Sequence, residues 1–129
     1  MSHLVTGIDL IEIERISGVI ERFGARFLER VFTSQELAEV GDNVASLAAR
    51  FAAKESVAKA LGTGIGDIRW KEIEINRGPS CEPILLLHGT AQRLADEQCL
   101  DTWSISLSHT HTHAIAMAVA LGDRQEDRD

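Results

Sequence analysis

Residues 42–61, DNVASLAARFAAKESVAKAL, constrain the fold more than any other stretch of this chain. Asp42 and Asn43 are both good N-cap residues, and Gly62 is a natural stop, so one long helix is predicted between them. At roughly 100° per residue, Val44, Ala48, Phe51 and Ala58 fall on one apolar stripe. Val57 and Leu61 lie on the opposite side, so the helix has apolar neighbours on two faces, which hints at a subunit contact. Glu55 stands in the middle of the first stripe, where an ionised carboxylate is costly unless something positive meets it. That partner is either Lys59, one turn on as an i, i+4 surface pair, or a bound metal.

Around this helix the pattern alternates between helical and extended periods. Residues 3–9 read as a strand, and Ile13, Ile16, Val19, Ile20 and Phe23 recur at helical spacing up to Gly24. Thr33 or Ser34 with Glu36 predicts a short capped helix ending near Gly41. Residues 70–76 and 84–88 read as strands joined by turn chemistry, residues 89–98 as a short helix. Residues 102–108 and 112–121 then read as two strands paired across the His-Thr-His-Thr segment. The expected class is α+β: an antiparallel sheet packed against one long helix plus shorter helices. A chain of 129 residues suits one domain, placed at residues 1–122, with residues 123–129 as a charged, disordered tail.

Thirteen basic against twenty acidic residues give a net charge of −7, a field that repels phosphate backbones and argues against nucleic acid as a partner. The first residues, MSHLVTGIDLIEIERI, lack a basic start before a long apolar run, and no stretch approaches the ~20 apolar residues of a membrane span, so a cytoplasmic protein is expected. Cys81 and Cys99 stand far apart and read as reduced, inert thiols.

Three further features carry candidate chemistry. Asp9 shares a strand face with Val5 and Gly7, and is either the N-cap of a helix starting near Ile11 or a metal ligand. With Glu55 it offers two carboxylates on separate rigid elements, the kind of donor set that Mg²⁺ completes with water and phosphate oxygens. Gly62-Thr63-Gly64-Ile65-Gly66 follows a helix, so it is neither a dinucleotide fingerprint nor a P-loop; it is a helix stop and turn, or a place where backbone N–H groups approach a phosphate beside Lys59. His109, His111 and His113 point to one side if extended, which admits a zinc-dependent hydrolase as a rival to a phosphate-binding or merely polar strand face.

Taken together these segments resemble the holo-acyl-carrier-protein synthase family, small 4′-phosphopantetheinyl transferases. The resemblance runs from about Val5 to Ala120 and rests on GIDLIEIERI (residues 7–16), RFAAKESVAKALGTGIG (residues 50–66) and SISLSHT (residues 104–110). It implies the α+β fold of that family, transfer of phosphopantetheine from coenzyme A to a serine of an apo acyl carrier protein in fatty-acid biosynthesis, and a trimer with coenzyme A in clefts between subunits. By the same resemblance Asp9 and Glu55 hold Mg²⁺ and are the catalytic carboxylates, and Lys59, Gly62, Gly64, His109 and Arg50 bind coenzyme A. Arg15 falls on the arginine that docks the carrier protein, and Arg22 follows it seven residues on along the same helix. Cys81-Glu82-Pro83 departs from the family's G-x-P, and His111 and His113 match no family site. Besides the zinc hydrolase, a carrier-binding module without catalysis is a rival reading, opposed by the presence of both carboxylates and Lys59.

Overall fold

A computed structural model describes residues 1–123. Asp123 belongs to the last strand, and the rest of the expected tail lies outside the described residues.

The predicted long helix is α4, Val44–Ala60. The Asn43 side chain caps it by accepting the Ser46 N–H at 3.0 Å, and Gly62 closes it in a Schellman arrangement, with Gly62 N–H on the Lys59 carbonyl and Thr63 N–H on that of Ala58. Only Lys59 of its residues is exposed, so every face of the helix is covered by the rest of the chain. The apolar second face therefore serves the protomer's own core rather than a subunit contact.

One face lies on a three-stranded antiparallel sheet ordered β1-β5-β4, made of Ser2–Glu12 (β1), Leu100–His109 (β4) and His113–Asp123 (β5). The inward residues are small. Ala114, Ala116, Ala118 and Ala120 of β5 are all buried, and Gly7 of β1 leaves so little room that a Cβ there would stand 1.9 Å from the Ser56 carbonyl oxygen. Across the sheet the outward rows run Leu4–Leu121, Ile8–Met117 and Leu10–Ile115, and these six side chains remain exposed. Most of the large apolar side chains left uncovered in the protomer are thus on this sheet.

β1 runs three residues further than expected, to Glu12, so Asp9 lies within the strand and caps no helix. Helix α1, Ile13–Phe23, has no side-chain cap; its first N–H is taken by the Thr112 carbonyl at 2.9 Å. Gly24, with φ +56°, ends α1 and starts α2, Ala25–Val31, a helix that the spacing of apolar residues does not announce. Helix α3, Ser34–Val40, follows with the expected capping box between Thr33 and Glu36.

The remaining strands form a separate two-stranded sheet, β2 (Ile73–Arg77) and β3 (Pro83–Leu87), followed by α5, Gly89–Glu97. The expected strand at residues 70–76 opens instead as a 3₁₀ turn, Trp70–Glu72. Lys54 explains the turn. Its fully buried ammonium bonds the carbonyls of Trp70 and Ile73 and the Glu36 carboxylate at 2.8 Å. Glu36, also fully buried, accepts in addition from the backbone N–H groups of Thr33 and Ile75. Burial lowers the Lys54 pKa, and the Glu36 charge opposes that shift. Cys81 closes the β2–β3 turn at φ +64°, and both cysteines are free.

Gly7→Ala should lower stability by about 2–3 kcal/mol, because the new methyl meets backbone rather than a movable side chain. Urea unfolding checks this; an unchanged midpoint would show that α4 can move off the sheet freely.

Candidate active site

The inward face of β1 and the α1-facing side of α4 bring Asp9 and Glu55 to one cavity of about 300 Å³. Ile16 and Val19 of α1 and Phe51 of α4 supply its apolar walls, and Arg15 reaches its edge. Glu55 follows from the close approach at Gly7: it immediately precedes Ser56, whose carbonyl lies over that glycine.

Lys59 pairs with Asp9, at 3.0 Å from Oδ1, and donates to the Ile8 carbonyl at 2.9 Å. The i, i+4 pair with Glu55 does not form. Burial pushes the Glu55 carboxyl above its ordinary pKa of 4.5, the Asp9 charge adds to the rise, and Lys59 opposes it. Lys59 is thus taken by Asp9, and the Glu55 carboxylate faces the open cavity without an ion-pair partner of its own, with Arg15 as the cation among the cavity's lining residues. Hard oxygen donors on two rigid elements, with the rest of the sphere free, fit Mg²⁺.

The glycine loop follows directly on Lys59. Gly62 and Gly64 have φ +84° and +110°, and a Cβ at either would meet nothing within 4 Å, so these positions need glycine for the backbone angle rather than for room.

Arg50 and His109 line a different cavity, of about 160 Å³, between α4, the β2–β3 hairpin and the end of β4. Within one protomer the structure therefore divides the residues selected from sequence between two sides of α4. The three histidines do not form one strand face. Thr110 folds the chain back, its Oγ1 accepting the N–H groups of Thr112 and His113, so His109 ends β4, His111 lies in the turn and His113 begins β5. His111 and His113 border a third cavity with Glu12 and Glu14. Among the described residues no three His, Cys, Asp or Glu side chains are grouped to hold a metal ion, so the zinc-hydrolase geometry expected from the histidines is not built.

Arg22 lies over the Phe23 ring, 5.2 Å from its centroid, and Phe23 is half-exposed. Arg26 and Arg30 of α2 extend this surface around a hollow shared with Val19 and Phe27. Sequence reasoning missed both, although their i, i+4 spacing was available once α2 is known to be helical.

Over residues 6–118 the chain matches the sequence model of the 4′-phosphopantetheinyl transferase superfamily. It is 48% identical over 112 residues to the holo-acyl-carrier-protein synthase of Herpetosiphon aurantiacus, covering 81% of this chain and 88% of that one. The crystal structure of Helicobacter pylori holo-acyl-carrier-protein synthase in complex with coenzyme A superposes with a TM-score of 0.82 at 34% identity, over 89% of this chain and 98% of the other. Plasmodium yoelii acyl carrier protein synthase with ADP bound gives 0.86 at 26% identity, over 96% and 99%. No helix among the described residues is long and apolar enough to cross a membrane.

Because the raised Glu55 carboxyl binds its proton more tightly folded than unfolded, it subtracts stability as pH rises from 4.5 through its folded pKa. Glu55→Gln should therefore melt above the wild type at pH 7 and lose that advantage below about pH 4. Calorimetry across this range checks the sign, and millimolar Mg²⁺ should narrow the gap by stabilising the wild type.

Proposed function

The chain belongs to the 4′-phosphopantetheinyl transferase superfamily, and on that premise we propose that it transfers the 4′-phosphopantetheine group of coenzyme A to a serine of an apo acyl carrier protein, as a holo-acyl-carrier-protein synthase. The observation that carries the reading is the meeting of Asp9 and Glu55 in one cavity beside Lys59. The whole reaction is assigned to one domain, acting in the cytoplasm on a carrier protein of fatty-acid or polyketide assembly.

In this reaction the serine oxygen attacks the β-phosphorus of coenzyme A in line, the pyrophosphate P–O bond breaks, and 3′,5′-ADP leaves. Asp9 and Glu55 are the residues that would hold Mg²⁺, which supplies charge neutralisation on the pyrophosphate when bound. Asp9 or Glu55, directly or through a bound water, takes the proton from the serine hydroxyl, since both carboxyls line the cavity. Lys59 can leave Asp9 for a phosphate oxygen; in the turn that follows, the Gly62 and Thr63 N–H groups close α4, which leaves the Gly64 N–H as the backbone donor on offer.

The acidic carrier protein meets a local positive surface on a protein of net charge −7. Arg15 at the cavity edge, Arg22 beside Phe23, and Arg26 and Arg30 make that surface, which leads towards the carboxylates.

Arg50 and His109 contact the same coenzyme A from a neighbouring subunit. One protomer holds the two groups of residues on different sides of α4, and the exposed rows Leu4–Leu121, Ile8–Met117 and Leu10–Ile115 supply an apolar face for second copies. The assembly is a homotrimer with active sites at its seams.

An apo carrier protein incubated with this chain, coenzyme A and Mg²⁺ should gain the mass of one phosphopantetheine. Asp9→Asn and Glu55→Gln should each slow that gain by about 100-fold or more; near-wild-type rates in both would remove the metal assignment. Sedimentation equilibrium should give three times the 14.1 kDa chain mass, and Met117→Glu, which puts a charge on the apolar rows, should reduce it. A monomeric wild type with full activity would rule out the seam site.

A further inference from the structure

Arg50 is only 6% exposed, yet its guanidinium is only half satisfied. Nη1 donates to Glu39 Oε1 at 3.1 Å and to the Glu36 carbonyl at 3.4 Å. Among the described residues neither Nε–H nor the Nη2 hydrogens have a protein partner, and these nitrogens are not sealed off as buried orphans but remain open to solvent. These unpaired donors form the two-pronged edge of the guanidinium, the one that binds a phosphate or carboxylate with two parallel hydrogen bonds. Arg50 lines the cavity on the β2–β3 side of α4, together with Arg77, Ser108 and His109. Leu107 and Pro83 give it apolar walls suited to a nucleotide's base or sugar.

Glu39 touches both arginines of this cavity. The oxygen that grips Arg50 Nη1 also accepts the backbone N–H of Arg77 at 2.9 Å, and Gln35 steadies the other carboxylate oxygen at 3.3 Å. Burial alone would raise the Glu39 pKa, but the bonds from Arg77, Gln35 and Arg50 outweigh it, so the carboxyl sits below its ordinary 4.5 and is ionised at neutral pH. A carboxylate that pairs with an anion-binding arginine repels the incoming anion. Its presence calls for a role that offsets that repulsion.

We propose that Glu39 is a positioning residue for the nucleotide end of coenzyme A: by holding Nη1 it keeps the two-pronged edge of Arg50 free for a phosphate, and by holding the Arg77 backbone it fixes the second arginine of the same cavity. The inference rests on the coenzyme A-dependent transfer proposed above. The pyrophosphate is required at Asp9 and Glu55, so the phosphate left for this second cationic cavity is the ribose phosphomonoester.

Titration calorimetry with 3′,5′-ADP tests this, because electrostatics and positioning predict opposite signs. Glu39→Gln keeps an acceptor for the Arg77 N–H but loses the ion pair. Positioning predicts about 10-fold weaker binding, whereas relief of charge repulsion predicts tighter binding. In an Arg50→Ala background, itself weakened, Glu39→Gln should add no further loss. In steady state the KM for coenzyme A should rise, with kcat and the KM for carrier protein held. Unchanged or tighter binding in Glu39→Gln overturns the proposal even if the melting temperature falls, as do losses that multiply in the double variant. If the wild type transfers phosphopantetheine but Arg50→Ala binds 3′,5′-ADP normally, the cavity is not the nucleotide site, and the proposal falls while the enzymatic reading stands. If the wild type neither binds 3′,5′-ADP nor transfers, both fall.

Discussion

The distance between α4 and its sheet governs the rest of the molecule. A helix usually stands off a sheet by the thickness of two layers of side chains, but here one layer is nearly missing. Gly7 has no side chain, and β5 presents four alanines. The helix backbone therefore rests almost on the strand backbone, and this contact fixes the position of Glu55 relative to Asp9. The proposed metal site, in which two carboxylates would reach one ion, needs such a reference surface, because packing through long side chains leaves rotamer freedom that a backbone contact does not.

On a further side, Lys54 ties α4 to the elements that cover it. Its ammonium reaches α3 through Glu36 and the start of β2 through two carbonyls, so a single buried charge joins three segments distant in sequence. Replacing such a pair by hydrophobic residues is often neutral for stability. What the pair adds here is direction: its acceptors are specific atoms, and a sliding helix would lose all of them at once. Glu36 shows the same economy, since one carboxylate completes a capping box, neutralises Lys54 and receives a strand N–H.

Much of this architecture was legible in the residues. The bounds of α1 and α4 followed from apolar spacing and from Gly24, Asn43 and Gly62, and the capping box of α3 followed from Thr33 and Glu36. Asp9 and Glu55 stood out as carboxylates on a strand face and an apolar helix stripe, and Lys59 through the family resemblance; the fold brings the first two to one cavity and pairs Lys59 with Asp9. Other features depend on tertiary partners and leave no periodic trace. Lys54 reads locally as an ordinary helix-surface residue until Glu36 arrives from eighteen positions away. The alternation of residues 70–76 promised a full strand, but the carbonyls of Trp70 and Ile73 bind an ammonium instead. The histidines alternate in sequence as a strand face would, yet Thr110 supplies the acceptor that turns the chain between them. α2 is too short for its periodicity to stand out, which hid Arg26 and Arg30.

The composition of β5 has a consequence for how the chain finds its fold. Along this strand alanines at 114, 116, 118 and 120 alternate with Ile115, Met117, Val119 and Leu121, small towards the helix and large towards the opposite face. A slip of one residue against β1 would drive every large side chain into a space that has no room for a methyl group at Gly7, and would leave the alanines facing outwards. No partial accommodation exists, because the mismatch recurs at each row. β5 therefore acts as a gauge as well as a strand: wrong pairings of the sheet cannot admit α4, and the long helix docks only on a correctly aligned sheet.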